Sequence, residues 1–412
     1  MYQKLFNKNF TMVIIGQIIS LFGNVILRFA LSLYILDATG SATIFGSIMA
    51  VSMLPTILLS PFGGMLADRV NRRNIMVALD FTTAAIVFVF GLVLNENSAV
   101  PAIAVVLILL SLIQAFYQPS VQSSVPLLQA ENHLIQANSV VNQVMAFSNL
   151  LGPVLGGILY GLFGVGPIIV ISGISFFLSA ILEIFIHIPF TPPTEKGNIF
   201  HIVKSDFKDS MKFMVRERPD ILKVLLFTGA ISFFVAAVAI VGKPFLIRVT
   251  LGLSAEHYGI TEGCLGAAGI LGGIAAGVIG TKLKTKKLYY LMILMGIFLV
   301  PVGLAFLFNA PTLVSYLLIT IVFSANQLLY CMFSVLILSV IQQKTPNHLL
   351  GKIMAYVSTV VMCSQPLGQA LYGVLFDGFT SNVYVLLILT AVLIASIGLL
   401  AKKTFYSLSL DK

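Results

Sequence analysis

Charge is the scarcest commodity in this 412-residue sequence: 9% of the side chains carry it and 58% are hydrophobic. A soluble domain carries about 25% charged residues. A globule of this length could bury a core, but it could not cover its surface with so few charges. The mean hydropathy of +1.02 says the same, so the solvent facing most of the surface is lipid. Cysteine is scarce too. Cys264, Cys331 and Cys363 all fall in apolar segments without metal-ligand spacing, which argues against a disulfide framework or zinc site and for small buried side chains. No metal cluster, nucleophile–base pair or large polar domain stands out, so a membrane enzyme or a receptor finds no support. The glycine-rich run from Gly263 to Gly280 lacks the lysine and strand context of a phosphate loop, which leaves ATP-driven chemistry without a site. No cofactor is called for.

What is present is apolar length. About 20 apolar residues cross a bilayer core. Turn and charge signals divide the chain into twelve expected spans: Phe10–Leu36, Ile44–Met65, Ile75–Leu94, Ala102–Ser124, Val140–Phe163, Ile168–Ile188, Ile221–Ile247, Tyr258–Gly280, Leu288–Phe308, Leu313–Ile341, Ile353–Phe376 and Val383–Ala401. The first exceeds the apolar core of a secretion signal and is followed by no small-residue cleavage site, so it is read as a span. The fold class is therefore all-α, a membrane protein of twelve helices.

The net charge of +9 would suggest nucleic acid in a soluble protein. Here position decides. Every lysine and arginine except Arg28, Lys243 and Arg248 lies before span 1, after an even-numbered span or at the C-terminus. The positive-inside rule makes that side cytoplasmic, with both termini inside a bacterial cell membrane and no nucleic-acid partner. Residues 190–219 form the one long polar connection, and His201–Arg216 within it reads as an amphipathic surface helix.

Two halves, 1–189 and 220–412, repeat at a shift of about 216 residues. Gly64 after span 2 answers Gly280 after span 8, Asn132-His133-Leu134 answers Asn347-His348-Leu349, and Gly152 and Gly157 answer Gly368 and Gly373. An even number of spans per half makes the repeat parallel, a recurring transporter design.

A helix facing lipid should be apolar all round, whereas one lining water should carry a polar stripe at spacings of three and four. Span 1 has Gln17, Ser20, Asn24 and Arg28. Span 4 has Ser111, Gln114, Gln118 and Gln122. Span 7 has Thr228 and Ser232, and span 10 has Gln327, Tyr330 and Ser334. These four spans are equivalent under the repeat and are expected to wall a central aqueous path. Pro119 and Pro244 are placed to kink spans 4 and 7.

Charges at bilayer depth each cost about 2.5–3.5 kcal/mol on insertion scales and need a reason. Lys243 and Glu262 fall at similar depth and are expected to face each other, a pairing suited either to a fixed ion pair or to proton cycling. Asp80 joins them as a coupling candidate, although its place below Arg72 and Arg73 first suggests a gate pairing. Glu183 and His187, near the end of span 6, are expected to snorkel to the interface.

Gly64-Met65-Leu66-Ala67-Asp68-Arg69-Val70-Asn71-Arg72-Arg73 resembles the loop between helices 2 and 3 of the major facilitator superfamily, G-x-L-A-D-R-x-G-R-[RK]. The resemblance implies a gate in which Gly64 permits close approach, Asp68 caps helix 11, and Arg69, Arg72 and Arg73 hold the closed state. Asn71 replaces the second glycine and is expected to take the left-handed conformation in its place. Ser148-Asn149-Leu150-Leu151-Gly152-Pro153-Val154-Leu155-Gly156-Gly157 resembles the same family's antiporter motif, with Ser148 for its first glycine. Gly152, Pro153, Gly156 and Gly157 would then allow tight packing between halves, in a family group whose exporters are coupled to proton entry. The arginine common in helix 4 of proton-coupled members has no counterpart here. Gly16-Gln17, Thr39-Gly40-Ser41-Ala42, Pro126-Leu127-Leu128 and Ile260-Thr261-Glu262 are similar to the macrolide-efflux branch of bacterial drug exporters. The resemblance implies a monomeric proton antiporter that exports amphipathic small molecules. An anionic metabolite or siderophore, met by Arg28 and Lys243, is the alternative cargo.

Overall fold

Each apolar run stops where the chain can close or cap a helix. In the computed structural model, which describes residues 5–95, 98–190, 213–280 and 283–410, α1 (Lys8–Thr39) starts at Asn7, whose side chain accepts from the Phe10 N–H at 3.0 Å. It ends at Gly40, held at φ +61° so that its N–H reaches the Leu36 carbonyl at 2.8 Å, a left-handed cap that glycine adopts without a Cβ penalty. There follow α2 (Ala42–Arg69), α3 (Arg72–Val93), α4 (Ala99–Leu128), α5 (Leu134–Phe163), α6 (Val165–Ile184), α7 (Pro219–Thr250), α8 (Ala255–Ile279), α9 (Tyr289–Leu307), α10 (Thr312–Lys344), α11 (Asn347–Gly378) and α12 (Val383–Leu410). Eleven helices among the described residues are long and apolar enough to cross a membrane; α11, with 32 residues, stands where the eleventh span was expected. No strand occurs among the described residues. That is the solution lipid imposes, since a helix satisfies its own backbone groups where no water can.

Sequence expectations fail locally for identifiable reasons. Asn71 is not left-handed. Its φ of −59° places it as the cap of α3, with its side chain accepting from the Arg73 N–H at 3.1 Å. Cys264 and Cys363 are exposed and Cys331 is half-buried, rather than buried as apolar surroundings suggested. In a membrane protein an apolar face is as often an outer face as a core. Leu92, Leu58, Ile321 and Leu400, each at least 60% exposed, make the same point. Pro244 does not end α7. It sits between two wide turns, Val238–Gly242 and Phe245–Thr250, and i→i+5 bonding absorbs the donor that proline lacks. Helix α4 runs on through Pro119 and Pro126. The amphipathic stretch expected over His201–Arg216 lies outside the described residues as far as 212; from Phe213 to Glu217 the chain makes one wide turn.

The chain divides into two compact units. The first comprises Met1–Gly40, Val51–Glu195 and Leu253–Gly263; the second comprises Ser41–Ala50, Lys196–Gly252 and Cys264–Lys412. Within the first, α1 packs on α5 and α6, and α3 on α6 and α4. Within the second, α7 packs on α11 and α12, and α9 on α12 and α10. Adding six to each label of the first set gives the second, as a parallel repeat requires.

Small residues set the closest approaches. In the first unit, a Cβ on Gly157 of α5 would lie 2.7 Å from the Ala255 carbonyl and 2.9 Å from Gly259 Cα, at the start of α8. In the second, a Cβ on Gly373 of α11 would lie 2.6 Å from the Ala42 carbonyl, and one on Gly46 of α2 would lie 2.5 Å from the Gln369 carbonyl. Backbone meets backbone in both, so no side chain fits at these points. Asp377 fastens the second contact. Its carboxylate accepts from the Ser41 hydroxyl at 2.6 Å and from the Ala42 and Thr43 N–H groups at 2.7 and 2.9 Å. Those are orphan donors of the first turn of α2, where helix geometry and dipole both favour an anion.

Candidate functional site

The polar stripe of α1 points into the first unit, toward α3, α4 and α6. Gln17 and Ser20 are buried, while Asn24 and Arg28 are half-buried. The Arg28 guanidinium donates to Asn24 Oδ1 at 2.8 Å and to Ser111 Oγ of α4 at 3.1 Å. Both acceptors are neutral, and no acid pairs with this cation among the described residues. Further along α4, the Gln114 amide donates to Gln118 Oε1 at 3.4 Å, and Gln118 donates in turn to the Met145 sulfur at 3.2 Å. Gln122 is exposed. Ser20, Leu21, Asn24, Asp80, Thr83, Ile113, Gln114, Tyr117 and Phe176 line a cavity of about 260 Å³.

Two side chains of this region, Asp80 and Glu183, lie deeper than the sequence suggested. Asp80 is 3% exposed and lines that cavity beside Ser20 and Tyr117. It makes no gate pairing, because the arginines thought to meet it are engaged elsewhere. Arg72 bonds Asp68 at 3.3 Å and donates to Ser123 Oγ at 2.8 Å. Arg73 donates to the main-chain carbonyls of Glu183, at 3.4 Å, and of Ile184, the first of which also accepts from the Ile186 N–H at 3.1 Å. Glu183 does not snorkel. It is fully buried and accepts from the Tyr117 hydroxyl at 2.8 Å, and Tyr117 in turn lies 3.3 Å from Ser20 Oγ. His187 is exposed, as expected, and its N–H meets Asn9 Oδ1 at 3.2 Å.

A signal for Glu183 was there to be read. Ser172, Ser175, Ser179 and Glu183 follow the same three-four-four spacing on α6 that marks α1 and α4. They lie against glycine notches: a Cβ on Gly23 would sit 3.0 Å from Ser175 Cβ, and one on Gly16 would sit 3.3 Å from Ser179 Oγ and 3.6 Å from Glu183 Cγ.

The gate and antiporter motifs resolve into specific contacts. Asp68 and Arg69 are exposed. The close approach expected at Gly64 is made by its neighbour: nothing lies within 4 Å of a Cβ built on Gly64, while one on Gly63 would run into the Ala115 carbonyl of α4. In α5, a Cβ on Gly152 would lie 2.5 Å from Val25 Cγ1, and one on Gly156 would lie 2.9 Å from the Phe29 ring. These glycines seat α5 on α1, and Gly157 seats it on α8. Pro153, half-buried, lies inside α5 without ending it. Glu262 is half-buried, hydrogen-bonded with Tyr258, and Tyr258 stacks on Phe29 at 5.1 Å.

The second unit carries its own polar face. Ser232 of α7 and Tyr330 of α10 lie 3.2 Å apart, oxygen to oxygen. Gln327 and Asn326 line a cavity of about 320 Å³ with Val235, Val238, Ala239, Leu265, Leu299 and Phe323. The buried Asn326 was not anticipated, because it falls one position off the Gln327–Tyr330–Ser334 stripe. Ser334 is exposed. Lys243 is buried, 2% exposed, within α7. The cavity of the second unit is walled mostly by apolar side chains, whereas that of the first is lined mostly by polar ones, with Asp80 the acid among them.

Comparison with known proteins places this architecture. The sequence profile described as the Major Facilitator Superfamily matches residues 13–369. The chain belongs to that superfamily. Members are transporters rather than enzymes, and this one is a multi-pass membrane protein. Among relatives, Macrolide efflux protein A of Streptococcus pyogenes is 24% identical over 375 residues, covering 90% of each chain. The Enterococcus faecalis protein of the same name is 25% identical over 332 residues, covering 78% of this chain and 99% of its own. Multidrug resistance protein MdtG of Dickeya zeae is 22% identical over 62% of this chain and 60% of its own. In fold, the chain resembles a bacterial homologue of the iron transporter ferroportin in its inward-facing state, with a TM-score of 0.75 at 16% identity over 99% of this chain and 100% of that one. It also resembles a D-xylose–proton symporter, with a TM-score of 0.70 at 15% identity over 97% of both chains.

Proposed function

We propose that this superfamily member is a secondary active exporter of amphipathic small molecules, macrolides among them, driven by proton influx through alternating access. It works as a monomer in the bacterial cytoplasmic membrane with both termini in the cytosol. The observation that carries the reading is the character of the polar faces: Asn24, Gln114 and Gln118 in one unit, and Ser232, Gln327 and Tyr330 in the other, are neutral groups, and the cavity of the second unit is otherwise walled mostly by apolar side chains. Such a lining suits large, weakly polar cargo. Similarity to proteins named for macrolide efflux supports the cargo class, and the distribution of basic residues supports the orientation. Lys243 and Glu262 are carried as further coupling candidates, and Asp68, Arg69, Arg72 and Arg73 as gate residues.

The test is accumulation of erythromycin and ethidium in cells that overproduce the protein. Accumulation should fall, and an uncoupler should restore it. Unchanged accumulation of both compounds, or efflux indifferent to the uncoupler, would overturn the reading.

Arg28 favours a second cargo. A guanidinium held, among the described residues, by the neutral Asn24 and Ser111 is suited to an anion, such as a siderophore or another acidic metabolite. If so, Arg28→Ala abolishes transport of anionic compounds and spares neutral ones; equal loss of both would remove this alternative.

A further inference from the structure

Inside the first unit a polar cluster lies beside the cavity that Asn24 and Gln114 line. Asp80 of α3 and Glu183 of α6 are 3% and 0% exposed and interact electrostatically. Among the described residues, one oxygen of each, Asp80 Oδ2 and Glu183 Oε2, has no hydrogen-bond partner, and neither does either amide atom of the fully buried Gln17, one turn from Ser20 on α1. No lysine or arginine forms an ion pair with either carboxylate among the described residues. The nearby cations are committed: Arg73 to the carbonyls at the end of α6, Arg72 to Asp68 and Ser123, Arg28 to Asn24 and Ser111. His187 lies exposed beyond α6.

The hydrogen-bond count points to what the cluster holds. A serine hydroxyl has one proton to give. That of Ser179 donates to the Gly16 carbonyl at 3.0 Å, an atom that can only accept. Ser179 is also the hydrogen-bond partner of Asp80. One hydroxyl proton serves one acceptor at a time, so the Gly16 carbonyl and the Asp80 carboxylate compete for it. Two uncompensated carboxylates at this depth would be costly, and one proton removes half of that charge.

We propose that Asp80 and Glu183 form the protein's coupling-ion site, sharing one exchangeable proton. Tyr117 and Ser20 connect them to the cavity that Asn24 and Gln114 also line. Loss of the proton leaves a second bare charge beside the first, and its return removes it. Because Asn24 belongs both to the cavity wall and to the Arg28 contact, proton occupancy and cargo act on the same side chains. Arg73 ties the α2–α3 loop to the backbone of the residue that carries one of the two acids. The inference rests on the proposed proton-driven export and names where that coupling resides.

Two measurements on the purified full chain separate the two ideas. The first is infrared difference spectroscopy across a pH step in detergent, with no cargo present. The wild-type protein should show the carbonyl stretch of a protonated carboxyl that disappears on alkalinisation. Asp80→Asn/Glu183→Gln should lose that band, and Tyr117→Phe should shift it by removing the bond to Glu183. The second is ethidium uptake into proteoliposomes. Uptake driven by a pH gradient should be lost in the double variant. Absence of the band from the wild-type protein, or its persistence unchanged in the folded double variant, overturns the proposal, as does gradient-driven uptake by that variant. If the double variant fails to fold, an unshifted band in Tyr117→Phe overturns it equally. A wild-type protein with the band but no response of ethidium to the gradient would defeat the proposed function and leave the proton site standing.

Discussion

Replacing Asp377 with alanine tests whether the first turn of α2 is held by a charge supplied from α11. Three donors converge on this carboxylate: the Ser41 hydroxyl and the Ala42 and Thr43 N–H groups, at 2.6–2.9 Å. Hydrogen bonds to a charged group contribute about 1.5–3 kcal/mol each when water is excluded. Asp377 is partly exposed, so water replaces much of what is lost, and the expected cost falls to about 2 kcal/mol, the upper end for a helix cap. With unfolding entropy near 2.1 cal/mol/K per residue, that lowers the apparent melting midpoint by about 2 °C if the whole chain melts together. It lowers it by about 4 °C if the second unit melts alone. Circular dichroism on the detergent-purified protein, at one fixed scan rate, reads the shift. Asp377→Asn keeps one accepting oxygen and should fall between wild type and alanine; Ser41→Ala loses one of the three donors and should cost less than Asp377→Ala. An unchanged midpoint in Asp377→Ala, or an asparagine variant as damaged as alanine, would refute the capping argument.

Within α8, Gly272→Ala drives a methyl to about 2.5 Å from the Leu328 carbonyl and should cost about 1–3 kcal/mol by overpacking. Gly277→Ala meets nothing within 4 Å and should gain up to about 1 kcal/mol of helix propensity; melting midpoints moving in opposite directions would bear out both. Gly157→Val should abolish monodisperse elution on size exclusion, because its Cβ already meets the Ala255 carbonyl. Asn7→Ala removes both the α1 cap and a 2.8 Å bond from its amide to the Leu128 carbonyl, and a loss of about 1–2 kcal/mol is expected by thermal melting. Arg73→Ala removes a charged donor from the carbonyls of Glu183 and Ile184 and should lower stability by about 1 kcal/mol, with Arg73→Lys recovering part of it.

The number of helices, their approximate limits and the parallel repeat were legible because lipid enforces them. Length fixes the spans, and an unbroken backbone ladder leaves little choice of secondary structure. Azimuth was less legible. The stripes on α1 and α4 were found because glutamine and arginine stand out against leucine. The stripe on α6 is built mostly of serine, which also occurs on ordinary helix faces, and it was passed over. Gln122 and Ser334 continue the spacing of their stripes onto exposed positions, since an ideal period says which residues share a face but not where that face leaves its neighbour. The second glycine of the gate loop was misjudged for a related reason. A residue that tolerates a left-handed turn was assumed to make one, whereas Asn71 spends its side chain capping α3.

Depth along a helix and burial across it are independent coordinates, and Glu183 shows why the difference matters. Counted along the chain, it is the second-last residue of α6, a position from which a carboxylate normally reaches the headgroups. Counted across the bundle, it faces Gly16, where the missing side chain on α1 leaves room for an acid and Tyr117 supplies its donor. Glycine therefore does two things in this sequence. At Gly157, Gly259, Gly46 and Gly373 it lets backbones touch. At Gly16 it opens a pocket beside a carboxylate that lipid would otherwise expel. A polar stripe on one helix opposite a glycine on another is thus a better guide to a buried charge than either helix read alone. Substituting Gly16 with alanine is the corresponding check: its methyl would sit within 3.6 Å of Glu183 Cγ, so the variant should fold but perturb the carboxyl band assigned to the pair.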